Sequence, residues 1–220
     1  MGLAMLNPSI LSFGIRYGLE FVCASQGMEF HAESVRAGIA SPLVIEGLSI
    51  TQKTPAFSRQ FLTIHRLELI WNGPLELYDN PRDLIRKVIV THLDCLIDPR
   101  RPIGDEPSSS LPMDTPAGLL AFLVDESQTP ENITIEKSRV EFMGEDSRCV
   151  IEGLNLSLNE LAPGYLDLAG LDIQVGRFKK FLGPLAAETS WSKSSARLGN
   201  IQILPDILIE EISLSPNAVR

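Results

Sequence analysis

The sequence predicts a mainly β protein: an elongated, curved antiparallel β-sheet that forms a groove, with an N-terminal helix and one short helix between two β halves. Two observations support this fold class. An eight-residue pattern with the alternation of half-buried strands occurs seven times along the chain. The clearest helix-start signals stand near residues 7 and 115, outside those copies.

The repeated pattern reads apolar, any, apolar, polar, polar, apolar, polar, apolar. Its first copy is Leu-Val-Ile-Glu-Gly-Leu-Ser-Ile at 43–50. Side chains of a strand alternate between its two faces, so the doubled polar pair would turn the second half inside out. A β-bulge absorbs one extra residue and keeps both halves facing the same way, and glycine suits such a bend. The pair contains Gly47, Gly153, Gly170 and Gly199, and the seven copies lie at 43–50, 62–69, 88–95, 149–156, 166–173, 196–203 and 207–214.

The apolar positions of these copies are predicted to line a groove. Bulges at matching places bend successive strands alike, so the sheet should curve into a trough. The predicted lining residues are Ile45, Leu48, Ile50, Ile64, Leu67, Leu69, Val90, Leu93, Ile151, Leu154, Leu156, Leu168, Leu171, Ile173, Leu198, Ile201, Ile203, Ile209, Ile212 and Leu214.

The N-terminal helix is predicted over residues 7–26. Asn7 is a good N-cap, Pro8 suits the first helical position, and Gly27 is a natural stop. Two interpretations of this helix remain open. It covers one end of the sheet, or it lies on a membrane surface, although Arg16 is its one basic residue.

The other predicted elements follow in order. A first strand covers 28–36, and a Pro/Ser-rich break at 98–116 precedes a second helix that runs from Thr115 to about residue 125. A β meander occupies the rest of the chain. The predicted organisation is an N-terminal helix at 1–27, β halves at 28–98 and 128–220, and a linker with the short helix at 99–127. The span 28–220 is expected to form one continuous elongated domain.

Composition argues against several functions. The formal charge is −9, with no basic stripe, so no nucleic-acid partner is expected. Cys23, Cys95 and Cys149 lack metal-ligand spacing, and a small buried hydrophobe is the default interpretation, so no metal site is predicted. No phosphate-cradling or nucleophile motif occurs, so we expect no cofactor and no catalytic residue.

The sequence contains no apolar run long enough to span a bilayer and no signal-peptide pattern. Either the protein is cytosolic or the chain is a piece of a longer one. A strand pattern that ends at Leu214, close to the last residue, would leave an exposed sheet edge. We therefore expect a fragment.

Two helices are too few to cover the apolar face of so many strands, so part of that face is predicted to stay open. A contiguous open apolar surface marks a binding site. An aliphatic trough with few aromatic platforms suits lipid acyl chains better than sugars or nucleotides.

The pattern resembles the AsmA-like and TamB-like proteins of the bacterial envelope. The resemblance covers most of residues 28–215 and is a style of repeat rather than a residue-specific signature. It rests on the segments 43–50, 115–123, 133–140, 150–156, 166–173 and 187–191.

The resemblance implies a β-sheet folded like a taco around a hydrophobic groove, and a role in phospholipid transport or outer-membrane biogenesis. It further implies a periplasmic chain that is anchored in the inner membrane by a segment absent here, and an outer-membrane protein as partner. The family offers no catalytic residues to carry over.

Two alternatives belong to other classes. In the first, the apolar face is sealed and the protein is a structural or interaction module that pairs through an exposed edge strand. In the second, the β scaffold carries an envelope hydrolase, for which the sequence supplies no recognisable site.

Overall fold

The computed structural model describes residues 7–25, 27–38, 41–54, 57–71, 85–98, 130–192, 195–204 and 207–214. These residues form one helix, α1 at Pro8–Ser25, and thirteen strands in one sheet. The mainly β class and the open, curved sheet are confirmed. The predicted linker and second helix at 99–127 lie outside the described residues. The strands are β1 Met28–His31, β2 Ser34–Gly38, β3 Ser41–Thr54, β4 Phe57–Trp71, β5 Ile85–Ile97, β6 Asn132–Met143, β7 Ser147–Asn159, β8 Gly164–Leu168, β9 Gly170–Val175, β10 Phe178–Leu182, β11 Leu185–Ser192, β12 Ser195–Leu204 and β13 Ile207–Leu214.

Helix α1 begins where the sequence predicts. The Asn7 side-chain oxygen accepts a hydrogen bond from the Ser9 backbone N–H at 2.9 Å, and the Asn7 carbonyl accepts one from Leu11 N at 3.1 Å. The cap satisfies an N–H group that has no partner inside the helix. Apolar residues Leu11, Ile15 and Leu19 then recur at helical spacing and pack against the sheet.

The sheet runs in the order β1-β3-β4-β5-β6-β7-β8-β11-β12-β13, with β2 also on β3, β9 also on β7, and β10 on β9. Its neighbours are antiparallel except for β5 and β6, which are parallel. The prediction of a wholly antiparallel sheet is wrong at this pair. A parallel neighbour requires a long connection that returns the chain to the same end of the sheet. Residues 98–130, between β5 and β6, supply the necessary length.

The repeated pattern explains the register because it is palindromic. Read backwards, its apolar positions fall in the same places, so two antiparallel copies match all four apolar residues. In the β3–β4 pair, Leu43 lies opposite Leu69, Ile45 opposite Leu67, and Leu48 opposite Ile64. The β4–β5 pair repeats this arrangement. A shift by one residue would place apolar side chains against polar ones, so the pattern itself selects the register.

The sequence predicts a bulge at the doubled polar pair of every strand. This prediction is wrong for several strands. In β3 and β4 the pairing continues from Glu46–Arg66 to Leu48–Ile64 without a register shift, because both strands carry the extra residue at the same level. Shifts occur instead between β6 and β7 and between β11 and β12. A bulge needs two residues opposite one, and matched insertions remove that mismatch.

In four of the seven copies the second member of the pair reverses the strand, whereas Arg66, Gly170 and Glu211 at the same position have no positive φ. The second member has a left-handed backbone at Gly47 (φ 60), His92 (φ 52), Gly153 (φ 63) and Asn200 (φ 53). Glycine was expected to mark the bend, but neither Gly170 nor Gly199 has a positive φ. Asparagine enters the left-handed region at low cost, and histidine at a modest one. Neither the position in the repeat nor the residue type therefore decides this conformation alone.

The reversals at Gly47 and His92 lie at one level of the sheet, and the reversal at Gly153 lies one row further along, so a staggered crease crosses β3–β9. The predicted strand at 28–36 is broken into β1 and β2 at Glu33, whose N–H donates to the Glu46 carbonyl at 2.9 Å beside Gly47. The strand opposite β7 is broken into β8 and β9 at Ala169, whose N–H donates to the Glu152 carbonyl at 2.9 Å beside Gly153. Because neighbouring strands bend at the same or an adjacent level, the sheet folds along this line, which accounts for its curvature.

Candidate hydrophobic groove

Four rows of apolar side chains cross the sheet on one face, called the groove face below. Directly paired residues of neighbouring strands point to the same side of a sheet, so each row is contiguous. The first row is Leu43, Leu69, Val88, Ile133 and Leu158. The second row is Ile45, Leu67, Val90, Ile135, Leu156, Leu166 and Ala187.

In β3–β6 the reversals lie between the second and third rows, whereas in β7–β9 they lie between the third and fourth rows. The third row is Leu48, Ile64, Leu93, Ser138, Leu154, Leu168 and Leu185. The fourth row is Ile50, Leu62, Cys95, Val140, Ile151, Leu171 and Leu182. In the fourth row every member is apolar across seven neighbouring strands.

The rows bring most of the predicted lining residues together. Ile173 extends the groove face beyond the fourth row, opposite Cys149. Leu198 pairs with Ile212, and Ile201 with Ile209, in the last two strands. Ile203 and Leu214 lie in β12 and β13, but their side chains are outside the described part of the chain.

Helix α1 covers the groove face at the β1–β4 end. Leu11, Ile15 and Leu19 pack against a core cluster in which Ile45 is 2% and Leu48 5% exposed. The Ser12 hydroxyl accepts a hydrogen bond from Ala37 N at 2.9 Å, which ties the helix to β2. The predicted lining residues of this end are therefore covered by the helix, in agreement with the interpretation of α1 as a cap.

The groove face is more open across β5–β9. Cys95, Val140, Ile151 and Leu171 of the fourth row are all half-buried. Beyond this row lies a shallow cleft of about 240 Å³ at the end of the strands. The cleft is lined by Ile97, Phe142, Met143, Gly144, Ser147, Arg148, Cys149, Ile173, Gln174 and Val175. Its apolar floor continues the fourth row, because Ile97, Phe142, Cys149 and Ile173 are paired in that order.

The cysteines of the groove face are uncharged. Cys95 and Cys149 are free and half-buried, and burial followed by the nearby Asp94 raises the pKa of the Cys95 thiol to about 11. Burial, followed by the charge of Asp172, also raises the pKa of Cys149. A thiolate is the reactive and metal-binding form, so both residues act as small apolar groups.

The opposite face of the sheet is polar and carries a chain of ion pairs. Arg139 contacts Asp94 at 3.2 Å and also Glu141, which contacts Arg148 at 2.7 Å. The hydrogen bond from Arg148 is the main cause that lowers the pKa of Glu141. Since successive side chains of a strand point to opposite faces, these charges lie away from the apolar rows.

Strand β6 is predicted from the sequence, but its copy of the pattern is not among the seven described above. It reads Ile-Thr-Ile-Glu-Lys-Ser-Arg-Val at 133–140, with Ser138 in the third apolar slot and Lys137 in the left-handed conformation (φ 51). Ser138 has no exposed surface, accepts a hydrogen bond from Leu93 N at 3.1 Å and donates one to the Glu136 carbonyl at 3.0 Å. A pattern that also accepts a small residue in the third apolar slot includes this copy.

Ser138 therefore forms hydrogen bonds with the Leu93 N–H and the Glu136 carbonyl, at the point where the crease interrupts the parallel pairing of β5 and β6. The Ser138→Ala variant should lose about 1–3 kcal/mol in free energy of unfolding, because it leaves the buried Leu93 N–H without its acceptor. Ser190→Ala is the matched control, since Ser190 is exposed on β11. Urea unfolding monitored by circular dichroism measures the free energy of unfolding of both variants. Equal stability of the two variants would contradict this role.

Two histidines lie close together on the sheet, but the described residues contain no metal-binding cluster. His65 and His92 lie side by side at the crease with ring centroids 5.8 Å apart, and both are exposed. Within the described residues no cluster of three or more His, Cys, Asp or Glu side chains has a metal-binding arrangement. No helix of the described part is both long and apolar enough to cross a bilayer.

Comparison of the sequence with models of protein families found no match. A comparison with curated proteins likewise found none.

Proposed function

We propose that this chain is a non-enzymatic cell-envelope protein of the AsmA-like or TamB-like type, with a groove face that holds phospholipid acyl chains. Its role would be phospholipid transport or outer-membrane biogenesis. The protein would be anchored in the inner membrane and extend into the periplasm, with an outer-membrane protein as partner.

The fourth row is the observation that carries this proposal. Seven apolar residues follow one another across seven strands, and the members in β5–β9 are half-buried rather than sealed. A protein core would bury such residues more completely, whereas an acyl chain requires a continuous apolar track that it can reach. Uncharged thiols keep that track free of charge at neutral pH, and the ion pairs make the opposite face of the sheet polar.

The test uses a phospholipid whose acyl chain carries a photoreactive diazirine, offered to the protein in vesicles. After irradiation, mass spectrometry maps the modified residues. We expect adducts at Ile151 and Leu171 of the fourth row and background labelling at Glu152, the exposed neighbour of Ile151 on the opposite face. Adjacent residues of one strand thus report on the two faces separately.

A matched pair of variants completes the experiment. Ile151→Gln should lower the labelling of the row, because it places an amide in the path of the chain, and Glu152→Gln should leave the labelling unchanged. Circular dichroism checks that both variants are folded. Labelling that is equal on the two faces, or that Ile151→Gln does not alter, would count against an acyl-binding groove.

The interaction-module alternative has one observation in its favour. Strand β10 pairs with β9 alone among the described strands, and its Phe178 and Phe181 are each 61% exposed. A free edge of this kind can accept a strand from another protein. However, Lys179 and Lys180 also lie on β10, and exposed lysines are a common protection of an edge against pairing. The groove proposal is therefore preferred.

A further inference from the structure

Helix α1 is apolar on both of its sides. Its inner side packs on the sheet through Leu11, Ile15 and Leu19. Its outer side presents four large apolar residues, which are Ile10 (52% exposed), Phe13 (70%), Tyr17 (63%) and Phe21 (66%). A surface helix of a globular protein normally turns a polar face to water, so this outer face calls for an apolar contact.

The four residues form one strip. They are spaced three or four positions apart, which places them on the same side of a helix. The rings of Phe13 and Tyr17 are stacked, with centroids 6.4 Å apart and an interplanar angle of 16°. We call Ile10, Phe13, Tyr17 and Phe21 the aromatic strip.

The charge of α1 excludes attraction by anionic groups as the main force. Arg16 and Glu20 are the two charged residues between 7 and 25, and they neutralise each other in an ion pair of 3.0 Å. The whole chain has a formal charge of −9, so an anionic surface would repel it. A partner of the strip must therefore bind through apolar contact.

The size of the strip argues against a second protein as that partner. Three aromatic side chains that are about two-thirds exposed offer roughly 400 Å² of surface, given 150–250 Å² for a whole aromatic side chain. A specific protein interface needs about 800 Å² from each partner. A bilayer surface has no such minimum, because fluid acyl chains adapt to a narrow apolar strip.

We propose that the aromatic strip docks the protein on the surface of a lipid bilayer, with acyl-chain contact rather than headgroup charge as the driving force. Helix α1 then lies between the bilayer and the sheet, with its outer face in the membrane surface and its inner face on the groove face. Docking would bring the open rows of the groove close to the lipid. The inference depends on α1 alone and holds whether or not the groove carries lipid.

The experiment is flotation of the purified chain with vesicles of phosphatidylcholine, with and without added phosphatidylglycerol, at low and high salt. The double variant Phe13→Ser/Phe21→Ser should bind about tenfold more weakly, since it removes two rings from the strip. The control Phe178→Ser/Phe181→Ser removes two equally exposed rings from the basic strand β10 and should bind like the unaltered chain. Binding of the unaltered chain should survive high salt and should not increase with anionic lipid.

Three outcomes would overturn the proposal. They are binding that requires phosphatidylglycerol, equal loss of binding in the two double variants, and light scattering that shows a Phe13-dependent dimer without vesicle binding. Circular dichroism establishes that the Phe13→Ser/Phe21→Ser variant keeps its fold. Failure here leaves the photolabelling of the fourth row unaffected, because that labelling depends on the groove face and not on the aromatic strip.

Discussion

Leu154→Asp is expected to unfold the protein. Leu154 is 9% exposed and lies in the third row, between Ser138 and Leu168, immediately after the left-handed Gly153. A carboxylate there would lose its hydration and has no described cation within the row to pair with. Loss of the leucine packing and burial of an unpaired charge together should cost at least about 4 kcal/mol, which is a large part of the roughly 5–15 kcal/mol that stabilises an ordinary domain.

The matched control is Leu161→Asp. Leu161 is 88% exposed in the turn between β7 and β8, so this variant should keep the stability of the unaltered chain to within about 0.5 kcal/mol. Far-ultraviolet circular dichroism and limited proteolysis compare the two. A folded Leu154→Asp variant as stable as Leu161→Asp would show that the third row is open to water and not part of a packed face.

This expectation also decides how the groove should be tested. From the sequence alone, a charge at Leu154 or at Leu171 serves equally well to abolish lipid retention. The structure separates the two residues, because Leu154 is buried and Leu171 is half-buried. Loss of lipid in a Leu154 variant would report unfolding, so the fourth row provides the informative positions.

Gly153→Ala should have the second-largest effect. Gly153 has a left-handed φ of 63, and a Cβ atom there would lie 2.5 Å from the Cβ of Ala169 across the crease. The methyl group therefore adds backbone strain to a steric overlap with a neighbouring strand. We expect a loss of about 2–4 kcal/mol in the free energy of unfolding.

Gly176→Ala separates the two contributions. Gly176 has a similar φ of 56, but a Cβ atom there would meet nothing within 4 Å, so only the strain of about 1 kcal/mol should remain. The double variant Gly153→Ala/Ala169→Gly should recover part of the lost stability, because it removes the overlapping methyl group. Chemical denaturation measures the free energy of unfolding of all three variants. Equal losses for Gly153→Ala and Gly176→Ala would mean that the strands do not approach closely at the crease.

The crease has a consequence for the way the groove is built. Side chains replace the backbone hydrogen bonds that the crease interrupts. The Ser138 hydroxyl accepts a hydrogen bond from the Leu93 N–H, and the Asn155 side-chain oxygen accepts one from the Lys137 N–H at 2.9 Å. Asn155 also donates to the Gly153 carbonyl at 3.2 Å. Polar side chains at these two positions allow the sheet to bend without unpaired backbone groups, so the apolar rows beside them stay unbroken.

Much of this architecture could be predicted from the sequence because the information is local. The alternation of apolar residues determined which side of each strand is buried, and the doubled pair at 46–47 or 152–153 determined where the strand reverses. Asn7 and Pro8 determined the start of α1. Even the register of β3, β4 and β5 follows from the palindromic pattern, once those strands are known to be neighbours.

Only the tertiary structure decided which strands are neighbours and how the reversals align. Whether a doubled pair becomes a bulge or part of the crease depends on the opposite strand, as Gly47 and Asn200 show. The parallel pairing of β5 with β6, the polar Ser138 in an apolar row and the cover of α1 over Ile45 depend on contacts between residues far apart in the chain. A residue pattern specifies the faces of a strand, but the free energy of pairing belongs to two strands together.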